Sequence, residues 1–218
     1  MHHIMFDVDG TLVQSNDFDT DCFVRAIEEV LNISIDSDWS KYRHVSGVGI
    51  LDEIIHEDEL KESKIAIKLK VKETFIRLIS EYLESEPAKE VPGASLFLSQ
   101  LSSIDDVTLS IATGGWHETA ILKLQSAGID VSDIPIASSN DHFSRTEIMR
   151  IAKSKAGKQH SGKCTYFGDG VWDKKACNEL GYNFVLVGKN ADHNQNINDF
   201  QQIDEAMTFI GLSQVYQG

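Results

Sequence analysis

Five short apolar runs, separated by segments with helical periodicity, constrain the fold of this sequence more than any other feature. The runs are Ile4 to Phe6, Val107 to Ala112, Ile134 to Ala137, Thr165 to Phe167 and Phe184 to Val187. Each is apolar on both faces or nearly so, which is typical of strands buried in a parallel sheet. Helical segments follow the second, third and fourth runs and end at Gly128, Gly157 and Gly181. The pattern predicts an α/β fold, a parallel sheet covered by helices.

A long helical segment separates the first run from the second. Its first apolar stripe is formed by Phe23, Ile27, Val30 and Leu31, and its second by Ile65, Leu69, Ile76, Ile79 and Leu83, with Phe75 and Leu78 beside them. Pro87 and Pro92 follow the second stripe, where a chain would pass from one unit to another. We therefore predict an all-helical insert over residues 15–88, and a core built from residues 1–14 and 89–218. After Gly188 we expect a polar loop and one short helix.

Composition limits the partners that the chain can bind. Its 218 residues suffice for a large core, and its net charge of −14 would repel nucleic acids and anionic membranes. The three cysteines lack the spacing of a disulfide framework or a zinc site, so we expect reduced, packed thiols. No apolar run reaches the length of a membrane span, and the N-terminus lacks the pattern of a signal peptide. We therefore expect a cytoplasmic protein that binds neither nucleic acid nor membrane.

Four aspartates follow two of the predicted strands. Asp7 and Asp9 stand in the segment FDVDGT at the end of the first run, and Asp169 and Asp173 stand in GDGVWD after the fourth. Taken alone, the first segment is equally typical of a solvated acidic turn, and Asp173 of a helix N-cap. If both segments reach the same sheet edge, the four carboxylates converge, and their repulsion requires protons or a hard divalent cation. Mg²⁺ is the obvious candidate.

Two further segments are predicted to reach this edge. Thr113 and Gly114 follow the second run, where a hydroxyl and unhindered amides could hold phosphate oxygens; a turn of small residues explains them equally well. Arg145 begins the helix after the third run, where its guanidinium could clamp a phosphate. An arginine at such a position more commonly lies on the surface without a ligand.

Together these segments resemble the four motifs of the haloacid dehalogenase-like hydrolase superfamily, in the family's order and across the span from Asp7 to Asp173. The resemblance implies a Rossmann-like core with an inserted helical cap, of the type found in phosphoglycolate phosphatase-like and β-phosphoglucomutase-like members. The basic position is more often lysine in this family, so Lys153 is an alternative to Arg145.

The resemblance also implies a mechanism, phosphoryl transfer from a small phosphorylated metabolite through an aspartyl phosphate. Asp7 would be the nucleophile and Asp9 the general acid and base, with Thr11 steadying the turn around Asp9. Thr113, Gly114 and Arg145 would bind phosphate. The family's Mg²⁺ would be held by a group comprising Asp7, Asp9, Asp169 and Asp173.

Two alternatives share this core chemistry or its scaffold: a phosphomutase, which differs mainly in its cap, and a catalytically silent relative that binds a phosphometabolite or a protein. An acid at position 9 favours phosphate chemistry over dehalogenation, because a departing halide needs no proton. Substrate choice is expected to depend on the cap, with Arg43 and His44 in the loop from Arg43 to Gly49 as the candidate determinants. The sequence does not indicate an oligomeric state.

Overall fold

A computed structural model describes residues 2–55, 63–157 and 162–212. Its centre is one sheet of six parallel strands in the order β3-β2-β1-β4-β5-β6. The strands are β1 (His2–Phe6), β2 (Val107–Ala112), β3 (Ile136–Ala137), β4 (Cys164–Gly168), β5 (Asn183–Val187) and β6 (Asn196–Ile197). The first strand is central, and the chain crosses to opposite sides of it to form the two halves of the sheet. This is the predicted Rossmann-like arrangement.

Eight α-helices accompany the sheet in the part of the chain that the structure describes. They are α1 (Asn16–Leu31), α2 (Gly47–Ile54), α3 (Lys64–Ser85), α4 (Ala94–Ser102), α5 (His117–Ser126), α6 (Arg145–Lys155), α7 (Val171–Leu180) and α8 (Ile203–Ile210), with a 3-10 turn at Trp39–Lys41. None of these helices has the length and apolar composition needed to cross a membrane.

Both faces of the sheet are buried, as the apolar runs predict. Along β1, Ile4 and Phe6 join a cluster that includes residues of α4 and α8, whereas Met5 joins a second cluster with residues of α6 and α7. Successive side chains of a strand point to opposite faces, so β1 contributes to both cores. Because both faces are covered, the edge at the carboxyl ends of the strands is the open place for polar groups.

Two strands differ from their predicted extent. The third strand is shorter than expected because Pro135, within the predicted run, has no N–H, although its carbonyl accepts from the amide of Ile111 at 2.9 Å. The sixth strand lies where we expected only a polar loop, and it pairs with β5 through Asn196 and Ile197. A strand of two residues carries no periodicity, so the sequence pattern could not reveal it.

The inserted segment is helical, as predicted: every regular element among the described residues of 15–88 is a helix. Its two connections to the core run side by side, since the amide of Gln14 donates to the carbonyl of Lys89 at 2.9 Å and Val13 pairs with Glu90. The structure thus contains a parallel-sheet core with an inserted helical cap. The boundaries at 14/15 and 88/89 stay predictions.

The apolar stripe predicted for the long cap helix α3 is partly wrong. Ile65 and Leu69 are 81% and 54% exposed. Phe75, Leu78 and Ile79 are buried as predicted, whereas Ile67 and Val71 take the place of Ile65 and Leu69 on the buried face. This face lies against α1, where the rings of Phe23 and Phe75 meet at 5.5 Å. Two stripes at helical spacing compete at the start of α3, and packing against α1 selects between them.

The three cysteines are free and buried, as expected. Burial raises the pKa of the Cys22 thiol to about 11 and that of Cys164 to about 12. A thiol with such a pKa contains almost no thiolate at neutral pH, so these side chains act as packed apolar groups.

Candidate functional site

Three of the four predicted aspartates meet at the carboxyl edge of the sheet. Asp7 directly follows the central strand β1, and Asp169 follows its neighbour β4. Asp173 lies in the first turn of α7, one helical turn beyond Asp169. One carboxylate oxygen from each of Asp7, Asp169 and Asp173 lies within 4.8 Å of the other two. The parallel sheet thus brings together residues that are more than 160 positions apart in the chain.

Burial makes it costly to keep all three carboxylates of this cluster charged. All three aspartates are buried, and burial raises the pKa of each, that of Asp169 to about 6. Asp169 is held by two amides, because Asn16 and Asn190 donate to its Oδ2 at 2.7 and 3.1 Å. Three buried acids close together favour the approach of positive charge.

Arg145 supplies positive charge to the cluster. Its Nη2 donates to Asp7 Oδ2 at 3.1 Å, and its Nε lies 3.1 Å from Asp173 Oδ1 in an ion pair without hydrogen-bond geometry. Burial alone would lower the pKa of Arg145, but the neighbouring carboxylates of Asp173 and Asp7 raise it. The Nη1 atom is buried and has no hydrogen-bond partner within the protein. Arg145 therefore retains a donor for a further acceptor.

Lys153, the alternative basic residue, lies elsewhere. Its ammonium group is 5.1 Å from the centre of the Tyr182 ring, and the residue does not line the cavity at the carboxylate cluster. Of the two candidates, only Arg145 contacts the aspartates.

Thr113 and Gly114 border the same cavity at the end of β2. The Thr113 hydroxyl accepts from the amide of Gly115 at 3.1 Å, which closes a tight turn. A Cβ atom at Gly114 would lie 2.9 Å from Arg145 Nη1 and 2.8 Å from the Val45 carbonyl oxygen. Only glycine fits between the arginine and the cap loop, so the turn keeps space next to the free Nη1 donor.

Asp9 lines the cavity, but its carboxylate lies outside the three-aspartate cluster. Its Oδ1 accepts hydrogen bonds from the Ser15 hydroxyl and from the Lys123 ammonium group. The Thr11 hydroxyl, which we expected to steady Asp9, is buried without a partner, so Ser15 has that contact instead. The assignment of Asp9 as a metal-binding residue stays a prediction.

Lys123 is the principal residue that sequence reasoning missed. It lies on α5, is completely buried, and donates to Asp19 Oδ1 at 2.6 Å as well as to Asp9. Burial opposes its charge, yet Asp19 and Asp9 raise its pKa above the ordinary value. Lys123 follows Ala120 by three positions on the buried face of α5, and this spacing was a signal that a charged residue faces inward.

Gly10 allows the turn after β1 to approach Asp169. Its φ of +69° lies in the left-handed region, and a Cβ atom there would lie 2.3 Å from Asp169 Oδ2 and 2.4 Å from Asn16 Nδ2. The position therefore requires glycine both for its backbone conformation and for its space.

A cavity of about 280 Å³ joins the carboxylate cluster to the cap. The cap loop closes it, since the amide of Gly47 donates to the Gly114 carbonyl at 2.9 Å. Val45, Ser46 and Gly47 line this cavity. Arg43 and His44 do not; they line a neighbouring cavity of about 440 Å³. Their role in substrate choice stays a prediction without support from this placement.

Comparison with known families identifies the architecture. Residues 4–187 match the family model for haloacid dehalogenase-like hydrolases, which is most of the chain. The chain belongs to this family. As a haloacid dehalogenase-like hydrolase of the helical-cap type, it is an enzyme of the hydrolase class. Its Asp7, Thr113, Arg145 and Asp169 occupy the same edge of the sheet, as the order of the four motifs implied.

Solved structures share the fold of this haloacid dehalogenase-like hydrolase. A hydrolase from Pseudomonas syringae is 21% identical with a TM-score of 0.71, and the match covers 89% of this chain and 88% of that one. β-Phosphoglucomutase from Clostridium difficile is 16% identical with a TM-score of 0.72, covering 95% and 96%. CbbY from Rhodobacter sphaeroides, in complex with phosphate, is 16% identical with a TM-score of 0.70, covering 92% and 95%. No curated protein matches the sequence.

Proposed function

We propose that this hydrolase is a Mg²⁺-dependent phosphatase that hydrolyses a small phosphorylated metabolite through an aspartyl phosphate on Asp7. The observation that carries the proposal is the unpartnered, buried Nη1 of Arg145 beside the Gly114 turn and Asp7. A buried guanidinium N–H without an acceptor is costly unless a ligand provides one. A phosphate oxygen is the acceptor that best matches the planar donor set of arginine.

The residues at the cluster fit Mg²⁺. Oxygen ligands from carboxylates are those that this cation prefers, and Asp7, Asp169 and Asp173 offer three within 4.8 Å. The raised pKa values of these buried acids indicate that the Arg145 charge alone does not balance them. We propose that Asp7, Asp169 and Asp173 hold the ion, with Asp9 beside them. When bound, Mg²⁺ supplies charge neutralisation to the nucleophile and the phosphate.

The proposed reaction has two steps carried by two aspartates. The Asp7 carboxylate attacks phosphorus, a P–O bond forms, and the bond to the leaving oxygen breaks. Asp9, in its protonated form, gives its proton to that oxygen and becomes a carboxylate. It then takes a proton from a water molecule as the water oxygen bonds to phosphorus and the bond between phosphorus and Asp7 breaks, so that both aspartates return to their starting forms. The Arg145 Nη1 donor, the Thr113 hydroxyl and the amides near Gly114 stabilise the charge on the transferring oxygens. Ser15 and Lys123 position Asp9 for this exchange.

A phosphatase screen tests this proposal directly. Purified protein with Mg²⁺ is expected to release phosphate from at least one of a panel of phenyl phosphate, sugar phosphates, phosphoglycolate and nucleotides. Excess EDTA should abolish this release, and added Mg²⁺ should restore it. The absence of hydrolysis across the whole panel would contradict the phosphatase proposal, and full activity in EDTA would remove the metal from it.

Substitution of Gly10 tests whether the position of Asp169 matters for turnover. Gly10→Ala is expected to lower kcat about a hundredfold, because the new methyl group displaces the Asp169 carboxylate. Gly128→Ala is the matched control: its φ of +73° imposes the same backbone strain, but no atom lies within 4 Å of the added Cβ. Phosphatase assays and thermal unfolding of both variants separate the two effects. Equal activity of the two variants would show that contact with Asp169 is unimportant.

A further inference from the structure

The wall of the cavity opposite the carboxylate cluster is apolar and aromatic. Phe23 of α1, Phe75 of α3 and Trp116 at the start of α5 line it, with ring centres 5.5 to 5.7 Å apart in each pair. Trp39 and Ile50 of the cap extend this wall. Phe23 meets Phe75 and Trp116 edge to face, and Phe75 is tilted against Trp116, so the three rings form a continuous, largely apolar surface.

The polar groups on the cap side of the cavity are engaged within the protein. The Thr20 hydroxyl accepts a hydrogen bond from Trp39 Nε1 at 3.3 Å, and Asp19 is paired with Lys123 at 2.6 Å. A ligand that placed hydroxyl groups here would have to compete with these contacts. On the cap side the arrangement differs from a sugar site, in which free donors and acceptors face the ligand; the unpartnered Nε1 of Trp172 belongs to the core side of the cavity.

The charges around the cavity disfavour a second anionic group on the ligand. Among the described residues that line it, Arg145 is the only basic side chain, and Asp7 and Asp173 already pair with it. A second phosphate or a carboxylate would meet the apolar wall without a counter-ion. A cationic group is not disfavoured in this way, because Asp9 and Asp19 share the single positive charge of Lys123 and because aromatic faces attract cations.

The size of the cavity restricts the ligand further. Its volume of about 280 Å³ lies just below the range of ~300–1,000 Å³ that is usual for small-molecule sites. This space holds a phosphate and one small group.

From these features we infer that the leaving group of the substrate is small and largely apolar, an aromatic ring or a compact hydrocarbon without a second anionic group. This inference rests on the proposed phosphatase function and specifies its substrate class. Among the described residues, no basic side chain lines the apolar half of the cavity, which argues against bisphosphorylated sugars and therefore against the mutase alternative. Within the family's chemistry, the released product is a hydrophobic alcohol or phenol.

Two pairs of matched substrates test the inference. The first pair is benzyl phosphate and 4-carboxybenzyl phosphate, and the second is 3-methylbutyl phosphate and 2-carboxyethyl phosphate, its anionic isostere. We expect kcat/KM to be at least about tenfold higher for the uncharged member of each pair, because the wall offers no partner to the added charge. Equal or higher values for either charged member would overturn the inference.

A binding measurement separates this inference from the phosphatase proposal. Benzylphosphonate cannot be hydrolysed, and calorimetry with Mg²⁺ is expected to show that it binds at least about tenfold more tightly than 4-carboxybenzylphosphonate. If this preference appears but no phosphate ester is hydrolysed, the phosphatase proposal fails and the ligand class stands. If esters are hydrolysed without the preference, only the ligand class fails.

Truncation of the aromatic wall provides a second test. Trp39→Ala is suited to it because Trp39 is only half-buried, whereas Phe23 and Phe75 are buried in the cap. We expect the variant to lower kcat/KM for benzyl phosphate about tenfold, and that for methyl phosphate much less. Tyr42→Ala is the control: the Tyr42 ring lies 6.0 Å from that of Trp39 but does not line this cavity. This variant should leave the ratio of kcat/KM for benzyl phosphate to kcat/KM for methyl phosphate unchanged. Equal losses for both substrates in Trp39→Ala would contradict the inference.

Discussion

Asp7→Asn is expected to lower kcat by at least about 10⁴-fold while the protein remains folded. An amide cannot form the covalent bond to phosphorus that the proposed mechanism requires, and removal of a nucleophile commonly has an effect of this order. Folding should persist because the neutral amide is easier to bury than the carboxylate, whose pKa burial raises. Arg145 keeps its ion pair with Asp173 in this variant. Phosphate release and circular dichroism measure the two outcomes.

Asp17→Asn is the matched control for this experiment. Asp17 lies in the first turn of α1 and is exposed, so the same chemical change there should leave turnover within about twofold of the original. Residual activity of Asp7→Asn above about one hundredth of the starting value would show that Asp7 is not the nucleophile.

Lys123→Met is expected to lower the free energy of unfolding by about 3 kcal/mol at neutral pH. Lys123 is completely buried, and its removal leaves the partly buried carboxylates of Asp9 and Asp19 without their cation. Breaking a buried ion pair by deleting one partner costs about 3–5 kcal/mol, and the partial exposure of both aspartates places this case at the lower end. Urea unfolding measures the change.

The stability lost in Lys123→Met should depend on pH because of Asp19. Burial raises the pKa of Asp19 to about 6 even with Lys123 present. An acid whose pKa is raised in the folded state destabilises that state above this pKa, and the penalty disappears as the acid takes up a proton. The difference in stability between Lys123→Met and the original protein should therefore shrink as the pH is lowered from about 8 to about 5.

Two further variants control for this prediction. Lys153→Met removes a lysine that lies over the Tyr182 ring, and its stability should fall by no more than about 1 kcal/mol. Adding Asp19→Asn to Lys123→Met should recover part of the lost stability, because one unpaired carboxylate is removed. If Lys123→Met unfolds at the same urea concentration as the original protein, the buried ion pairs contribute nothing to stability.

Much of the site could be predicted because its residues follow strands. Asp7, Thr113 and Asp169 each stand directly after a run that is apolar on both faces. Parallel strands end at a common edge, so local pattern and sheet geometry together imply that these residues meet. Arg145 was assigned in the same way, from its place at the start of a helix after β3.

Other parts of the site could not be predicted from local pattern. Asn16 and Asn190 both donate to Asp169, but they stand in polar segments that resemble many surface turns. Ser15 rather than Thr11 bonds Asp9, because the turn after β1 directs the Thr11 hydroxyl into the interior. The choice between neighbouring hydroxyls depends on the path of the backbone through the turn, which composition does not specify.

By itself the sequence determined the class of fold and indicated a helical insert after the first strand and aspartates at the strand ends, because periodicity and strand-end placement are local properties of the chain. The tertiary structure decided which face of α3 is buried, that Lys123 is drawn inside, and that an aromatic wall closes the cavity. Each of these depends on a partner distant in sequence: α1 for α3, Asp9 and Asp19 for Lys123, and three separate helical segments for the wall. A charged side chain can be buried, or one face of a helix chosen for burial, only where such a partner lies next to it. Only the folded chain brings these partners together.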